Sequence, residues 1–166
     1  MVLLWKYDSP LGVVTLSGDG PALTGLWLEG QKASVEEGIE RRLPVFDDAC
    51  RWLDDYFSGK VPDFTPSLDL RGTPFRRDVW EILLGIPYGR TISYGEVAAL
   101  VARKRGNPRM SAQAVGGAVG HNPVSIIVPC HRVIGADGSL TGYGGGLDLK
   151  QRLLRLEGVD VEDYNC

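Results

Sequence analysis

Cysteine and histidine are scarce in this chain. Its 166 residues include three cysteines, Cys50, Cys130 and Cys166, and two histidines, His121 and His131. The cysteines are widely spaced with no C-x-x-C pair, which argues against a disulfide framework and a cysteine-rich zinc site. No metal is therefore expected. No apolar run approaches the roughly 20 residues of a membrane span. The opening Met1-Val2-Leu3-Leu4-Trp5-Lys6 lacks the plan of a signal peptide, so a cytoplasmic protein is expected. Internal repeats and low-complexity tracts are also missing.

A strong net charge is absent as well, since the formal balance is −3. The distribution is uneven. Residues 1–72 hold 7 Lys/Arg against 12 Asp/Glu, a net of −5, and residues 73–166 hold 11 against 9, a net of +2. Between Tyr88 and Arg132, six basic residues (Arg90, Arg103, Lys104, Arg105, Arg109, Arg132) face one acidic residue, Glu96, a local +5. Such a stretch suits a phosphate-facing surface, and on charge alone it suits an ordinary solvated face equally well.

The first part of the chain reads as β-rich. Val2 to Tyr7, Gly12 to Ser17 and Leu23 to Leu28 are short apolar or alternating runs separated by Asp8-Ser9-Pro10 and Gly18-Asp19-Gly20-Pro21. This predicts a three-stranded antiparallel meander. Helices are predicted over Ser34 to Arg42 and Asp47 to Phe57, the second capped by Asp47 or Asp48 and placing Cys50, Leu53, Tyr56 and Phe57 on one face. Ser58-Gly59 stops it, and Val61 to Gly72, with Pro62 and Pro66, reads as a linker.

The second part reads as helical. Thr73-Pro74 opens a helix with Phe75, Val79, Ile82 and Leu83 on one face, ended by Gly85-Ile86-Pro87. Ser93-Tyr94-Gly95-Glu96 is a capping box, followed by the apolar stripe Val97, Leu100 and Val101. A basic, turn-rich segment from Arg103 to Pro108 leads to a short helix over Ser111 to Val119, and the pair has the spacing of a helix-turn-helix. Gly116 and Gly117 inside that second helix each cost roughly 0.5–1 kcal/mol relative to alanine. Tight helix–helix packing accounts for one face of so small-sided a helix. Small residues all round suggest insertion into a narrow space such as a DNA minor groove.

Pro129-Cys130-His131-Arg132 carries the chemistry. It follows the apolar run Ser125 to Val128, predicted to be a strand, and precedes the glycine-rich stretch Gly135 to Gly146. A thiol of pKa about 8.5 is only a few per cent ionised at neutral pH, so a base must take its proton, and His131 is the nearest. Adjacent strand residues point to opposite faces, so the strand must break at Pro129 for the two to converge. Glu157, late in a helix predicted over Leu147 to Glu157, is a candidate orienter of the imidazole, though its spacing reads at least as well as that of a solvent-facing residue. Cys50 reads as core, Cys166 as a mobile terminal thiol, and Trp5, Trp27, Trp52 and Trp80 as packing residues.

The run Ile127-Val128-Pro129-Cys130-His131-Arg132-Val133-Ile134 resembles the active-site motif of the O6-alkylguanine-DNA alkyltransferases. The resemblance extends through Pro87-Tyr88-Gly89, Ile92 to Ala98, Ala114 to Ala118, Asn122-Pro123-Val124, Thr141-Gly142-Tyr143, Gly145-Gly146, Leu153-Leu154 and Glu157-Gly158. It covers essentially all of residues 73–158, whereas the N-terminal part is similar only in its β-then-α plan. The fold it implies is α+β. A small antiparallel-sheet, ribonuclease H-like domain (residues 1–68) precedes a mainly helical domain (residues 73–166) with the helix-turn-helix and the active-site cysteine.

The implied activity is direct-reversal DNA repair. The alkyl group of O6-alkylguanine, and of O4-alkylthymine, would move irreversibly onto Cys130, one turnover per molecule and without a cofactor. His131 would be the base acting through a water, with Glu157 its orienter. Tyr143 would donate to O6 of the flipped guanine, and Asn122 would brace the turn before the cysteine. The backbone of Cys130, Val133 and Gly144 would read the base. DNA contacts in the minor groove would come from Tyr94, Gln113, Ala114, Gly117, Arg109, Arg132 and Ser93, on a monomeric protein. This sequence departs from the family at Gln113, where an arginine finger is usual, and at His121, where some relatives have glycine. It also lacks the cysteine-and-histidine set that gives some relatives an N-terminal zinc. A lesion-binding module without chemistry and a cysteine hydrolase are the alternatives. Cys130 counts against the first, and the small-residue helix against the second.

Overall fold

The meander forms as its pattern predicts, with the first strand running two residues further, through Asp8 and Ser9. The computed structural model describes residues 2–29, 31, 38–107, 110–138, 140 and 147–161. Strands β1 (Leu3–Ser9), β2 (Gly12–Gly18) and β3 (Leu23–Leu28) form the antiparallel meander. Pro10 and Leu11 make the first turn, where Ser9 Oγ donates to the Gly12 carbonyl at 2.6 Å and accepts from Leu11 N at 3.1 Å. Val14 and Leu16 of β2 and Leu23, Leu26 and Leu28 of β3 are buried, facing helix α1 (Pro44–Phe57).

Two local predictions change. Residues 32–37 of the helix expected over Ser34 to Arg42 lie outside the described residues. Ile39–Glu40 forms strand β4, parallel to β1 and on the sheet edge, in the order β3-β2-β1-β4. Pairing with β1 takes these residues into the sheet, with Ile39 N donating to Val2 O and Arg41 N to Leu4 O, each at 3.1 Å, and Leu43, before Pro44, is extended as well at φ −122°, ψ 150°. The same proline starts α1 three residues before Asp47, which lies in the first turn rather than at the cap. The buried stripe of α1 is Val45, Phe46, Ala49, Trp52, Leu53 and Tyr56, and Cys50 is half-buried beside it.

The chain separates into two compact units, one of Met1–Arg71 with Pro123–Ile127, the other of Gly72–Asn122 with Val128 onward. In the first, β3 is flanked by two short segments. Leu68 bridges Leu23, and Val124 bridges Leu26, with Leu26 N donating to Pro123 O at 2.9 Å and Ser125 N to Leu26 O at 3.1 Å. Helical membrane spans are missing from the described residues, none of whose helices is long and apolar enough to cross a bilayer.

The second unit is built on helices α2 (Pro74–Leu84), α3 (Tyr94–Arg105) and α4 (Ala112–Gly120), which pack mutually. Thr73 caps α2 and Ser111 caps α4, while Ser93 and Glu96 make the full capping box of α3. Asp78 and Glu81 on α2 pair with Lys104 and Arg105 on α3, Lys104 to Asp78 at 3.2 Å and Arg105 to Asp78 at 2.7 Å. Ile92–Ser93 (β5) pairs in parallel with Val133–Ile134 (β6), and α5 (Leu147–Leu156) follows. Leu154, Ile134, Leu140 and Val161 form a small core of their own.

Trp80, absent from the predicted face of α2, is its best-buried large residue, and its indole Nε1 donates to the Ala118 carbonyl of α4 at 2.9 Å. Trp80→Phe keeps the ring but removes that bond, leaving the carbonyl with the His121 amide alone, at 3.2 Å. A loss of about 0.5–1.5 kcal/mol in urea unfolding is expected, whereas an unchanged midpoint would rule out this link between α2 and α4.

Candidate active site

The run Ser125 to Val128 is not a strand. Ile127 N bonds back to Ser125 O at 2.8 Å around Ile126, whose φ of 70° is the one positive value at a non-glycine among the described residues. Cys130 N likewise bonds to Val128 O at 2.8 Å around Pro129, at φ −81° and ψ 65°. Both are three-residue turns, and a β-branched residue at positive φ costs on the order of 1–3 kcal/mol. The run is apolar because it is buried, which periodicity cannot distinguish from a sheet strand in so short a segment.

Cys130–Arg132 then forms one 3-10 turn. At three residues per turn, successive side chains leave about 120° apart, so thiol, imidazole and guanidinium point in three directions from one short segment. All three residues are buried, His131 completely.

His131 Nε2 is hydrogen-bonded to Oε2 of Glu157, the first residue after α5. The predicted contact thus forms, and the solvent-facing reading of Glu157 falls, for its side chain is fully buried. Oε1 accepts from Arg132 Nε at 2.7 Å and from Gly89 N at 3.0 Å. Burial alone would push this carboxyl up, but the donors and positive charge of His131 and Arg132 hold it well below the usual carboxylate range. Burial pushes His131 down, and Arg132 and Lys150 push the same way, against the upward pull of Glu157. With Nε2 committed to the carboxylate, Nδ1 is the free nitrogen, buried and without a hydrogen bond among the described residues.

Burial raises the Cys130 pKa, and a hydrogen bond from Asn122, the charge of Lys150 and nearby backbone donors oppose it. Asn122 also donates Nδ2 to Val128 O at 2.8 Å, tying the end of α4 to the residue before Pro129. Lys150 was missed by sequence reasoning. Its chain is 1% exposed, its ammonium donates to the Val133 carbonyl at 2.6 Å and lies 6.0 Å from the Tyr94 ring centroid, and burial lowers its pKa to about 8. The available signal was its position on α5, where Leu149, Lys150, Leu153, Leu154 and Glu157 share one helical face.

Tyr94, the first residue of α3, is half-buried, and its hydroxyl is raised first by burial and then by the charge of Cys130. Tyr94, Gln113, Gly116 and Ala136 line an open hollow of about 530 Å³. Gln113, Ala114 and Gly117 are exposed along α4, whose other side buries Val115, Ala118 and Val119. A Cβ added at Gly117 would meet nothing within 4 Å, so packing inside the protein does not explain that glycine. Ser93 is occupied as the α3 cap, and exposed His121 bonds Gly117 O through Nδ1 at 2.7 Å.

Arg132 needs correction as a DNA contact. It is 7% exposed and held by Glu157 and by the Ile86 carbonyl, to which its guanidinium donates at 2.7 Å. Lys104 and Arg105 are likewise paired with carboxylates, so the local +5 overstates the charge a phosphate would meet; Arg90 and Arg103 remain exposed. Arg109, Tyr143 and Gly144 lie outside the described residues, as does Cys166.

A buried thiol with an imidazole–carboxylate pair, beside a helix-turn-helix with a small-residue second helix, defines a DNA-binding protein with a nucleophilic cysteine. The chain belongs to the 6-O-methylguanine DNA methyltransferase family. The model of that family's DNA-binding domain matches residues 74–159, and that of its ribonuclease-like domain matches residues 3–70. A methylated-DNA–protein-cysteine methyltransferase of Mycolicibacterium paratuberculosis is 51% identical over 151 residues, covering 90% of this chain and 88% of the relative. The enzyme of the same name from Methanosarcina acetivorans is 45% identical, with coverage of 92% and 96%. The crystal structure of Mycobacterium tuberculosis OGT in complex with DNA superposes with a TM-score of 0.83 at 46% identity, covering 99% of this chain and 96% of that one.

The buried carboxylate sets an acid limit. Because its folded pKa is depressed, the stability Glu157 contributes is fully present above its ordinary value of 4.5 and is lost as pH falls towards about 2. Glu157→Gln should therefore flatten the fall of thermal stability with pH in that window. Parallel curves for the two proteins would show that the carboxylate is not ionised inside the fold.

Proposed function

We propose that this protein repairs alkylated DNA by direct reversal, moving the alkyl group from O6 of guanine onto Cys130. O4-alkylthymine is a second substrate of the same chemistry. The observation that carries the reading is one pairing: a buried Cys130–His131–Glu157 constellation and an exposed helix whose Gly117 serves no packing need of the protein itself. A glycine with open space in front of it suits a helix approached closely from outside, as by the walls of a minor groove.

The steps follow from the residues. A base stacked in a duplex is out of reach, so the nucleotide is turned out at a cost of a few kcal/mol. Tyr94 presses on the neighbouring phosphate, and Gln113 fills the gap left in the stack. His131 takes the Cys130 proton through a bridging water at Nδ1, while Glu157 receives Nε2–H and steadies the imidazolium. The thiolate attacks the alkyl carbon; the S–C bond forms as the C–O bond breaks, and the electron pair passes to O6. Tyr143 donates to O6 and so eases the departure of the guanine. The carbonyls of Cys130 and Val133 and the amide of Gly144 read the base. The thioether has no further partner to release it, so each monomer acts once.

Incubation with a duplex containing O6-methylguanine should add the mass of one methylene to the Cys130 peptide. Cys130→Ser should show no adduct while still binding DNA. Tight lesion binding without an adduct on the parent would leave the binding-module reading standing, and repeated turnover would favour a hydrolase. Gln113→Arg, adding a charge-assisted contact, should tighten lesion binding about tenfold. Equal affinity and equal repair rates for Gln113→Arg and the parent would remove Gln113 from the interface.

A further inference from the structure

Arg132 follows the reactive pair in sequence yet turns away from any surface, and its contacts suggest a task in the reaction. Its Nε is on Glu157 Oε1 at 2.7 Å while His131 Nε2 is on Oε2, so cation and imidazole divide one carboxylate between them. The guanidinium also donates to Ile86 O at 2.7 Å and lies 5.7 Å from the Tyr88 ring centroid. Tyr88 OH in turn donates to Leu156 O at 3.3 Å, and Gly89, at φ 77°, brings its N–H to Oε1. A lysine has no fork with which to reach the carboxylate and the Ile86 carbonyl together.

The arrangement answers a difficulty in the relay itself. An ionised carboxylate within hydrogen-bond reach of an imidazole favours the imidazolium, typically by 1–3 pKa units. An imidazolium has no lone pair with which to take a proton from a thiol. Burial already disfavours the imidazolium, and a positive charge beside Glu157 offsets its pull further, which leaves His131 able to act as a base.

We propose that Arg132 is a positioning residue that fixes Glu157 against His131 and offsets its charge, so that the resting imidazole is neutral and free to accept the proton of Cys130. The inference rests on His131 being the base of the proposed reaction. Before transfer the ion pair Glu157–Arg132 lies beside a neutral ring and a neutral thiol. After it, thiolate, imidazolium, carboxylate and guanidinium alternate in sign along the path, each charge next to its opposite. Among the described residues, Cys130 and Arg132 on the turn, Glu157 and Lys150 from α5 and its end, and Tyr88 from the loop after α2 are the titratable or charged groups around the ring. Tyr94 faces the thiol from α3.

Arg132→Met and Arg132→Lys separate this role from a structural one. The readouts are the His131 ring nitrogens followed by NMR through a pH titration without DNA, and the alkyl-transfer rate over the same pH range. In Arg132→Met the His131 midpoint should rise by about 1–3 units. The acidic limb of the transfer rate should move with it, so that activity lost near neutrality returns in alkaline buffer. Arg132→Lys should keep the midpoint close to the parent's. A uniform loss of rate at every pH, with the midpoint unmoved, would overturn the proposal in favour of a simple clamp. Should neither variant fold, the parent decides the matter: its ring must be neutral near physiological pH with the proton on Nε2, and an imidazolium there would refute the idea. The ring titration needs no repair activity, and the Cys130 adduct is measured independently, so failure of this inference is distinct from failure of the repair reading.

Discussion

The buried carboxylate of Glu157 is the constraint on which the site depends. An ionised group inside a protein is costly unless its lone pairs are met by donors. Here the donors are His131, Arg132 and the Gly89 amide. One comes from the loop after α2, two from the turn that holds the thiol, and the acid itself from the end of α5. Satisfying one anion therefore draws those three segments together. The imidazole is left with a single nitrogen for chemistry, and no separate device is needed to select it.

Much of the positive charge in this half of the molecule is spent internally. Arg132 serves Glu157, while Lys104 and Arg105 serve Asp78 and Glu81 and hold α3 against α2. Lys150 donates to the Val133 carbonyl from within, and its charge acts on the thiol. The exposed face of α4 is correspondingly uncharged, with Gln113, Ala114 and Gly117 along it. Under the proposed function, such a helix gains its hold on DNA from close backbone approach more than from phosphate pairing, which places unusual weight on the missing side chain at Gly117.

The parts of the structure legible in the sequence are those ruled by neighbours in the chain. Ser93 and Glu96 make their capping box, Thr73-Pro74 opens α2, and the turn residues set the meander, because each depends on contacts within a few residues. The helical pattern over Ser34 to Arg42 gives way at Ile39 and Glu40 to pairing with β1, a contact distant in the chain. The apolar run before the thiol looked like a strand because burial and sheet pairing leave the same mark over four residues. Nothing local announces a positive φ at Ile126; surrounding packing must impose it.

By itself the sequence determined the chemistry on offer: a cysteine next to a histidine, a tyrosine at a helix start, and a helix too poor in side chains to be ordinary. Tertiary structure alone decided which charges act on that chemistry. The spacing of Arg132 and Glu157 allows each to face water, and their burial follows from how α5 and the loop after α2 fold onto the turn. Lys150 was hidden for the same reason, since helical periodicity defines a face but not what lies opposite it. Electrostatic strength depends on that depth, through lost solvent and short distance. A charge pattern along the chain therefore predicts composition, and only the folded arrangement turns it into reactivity.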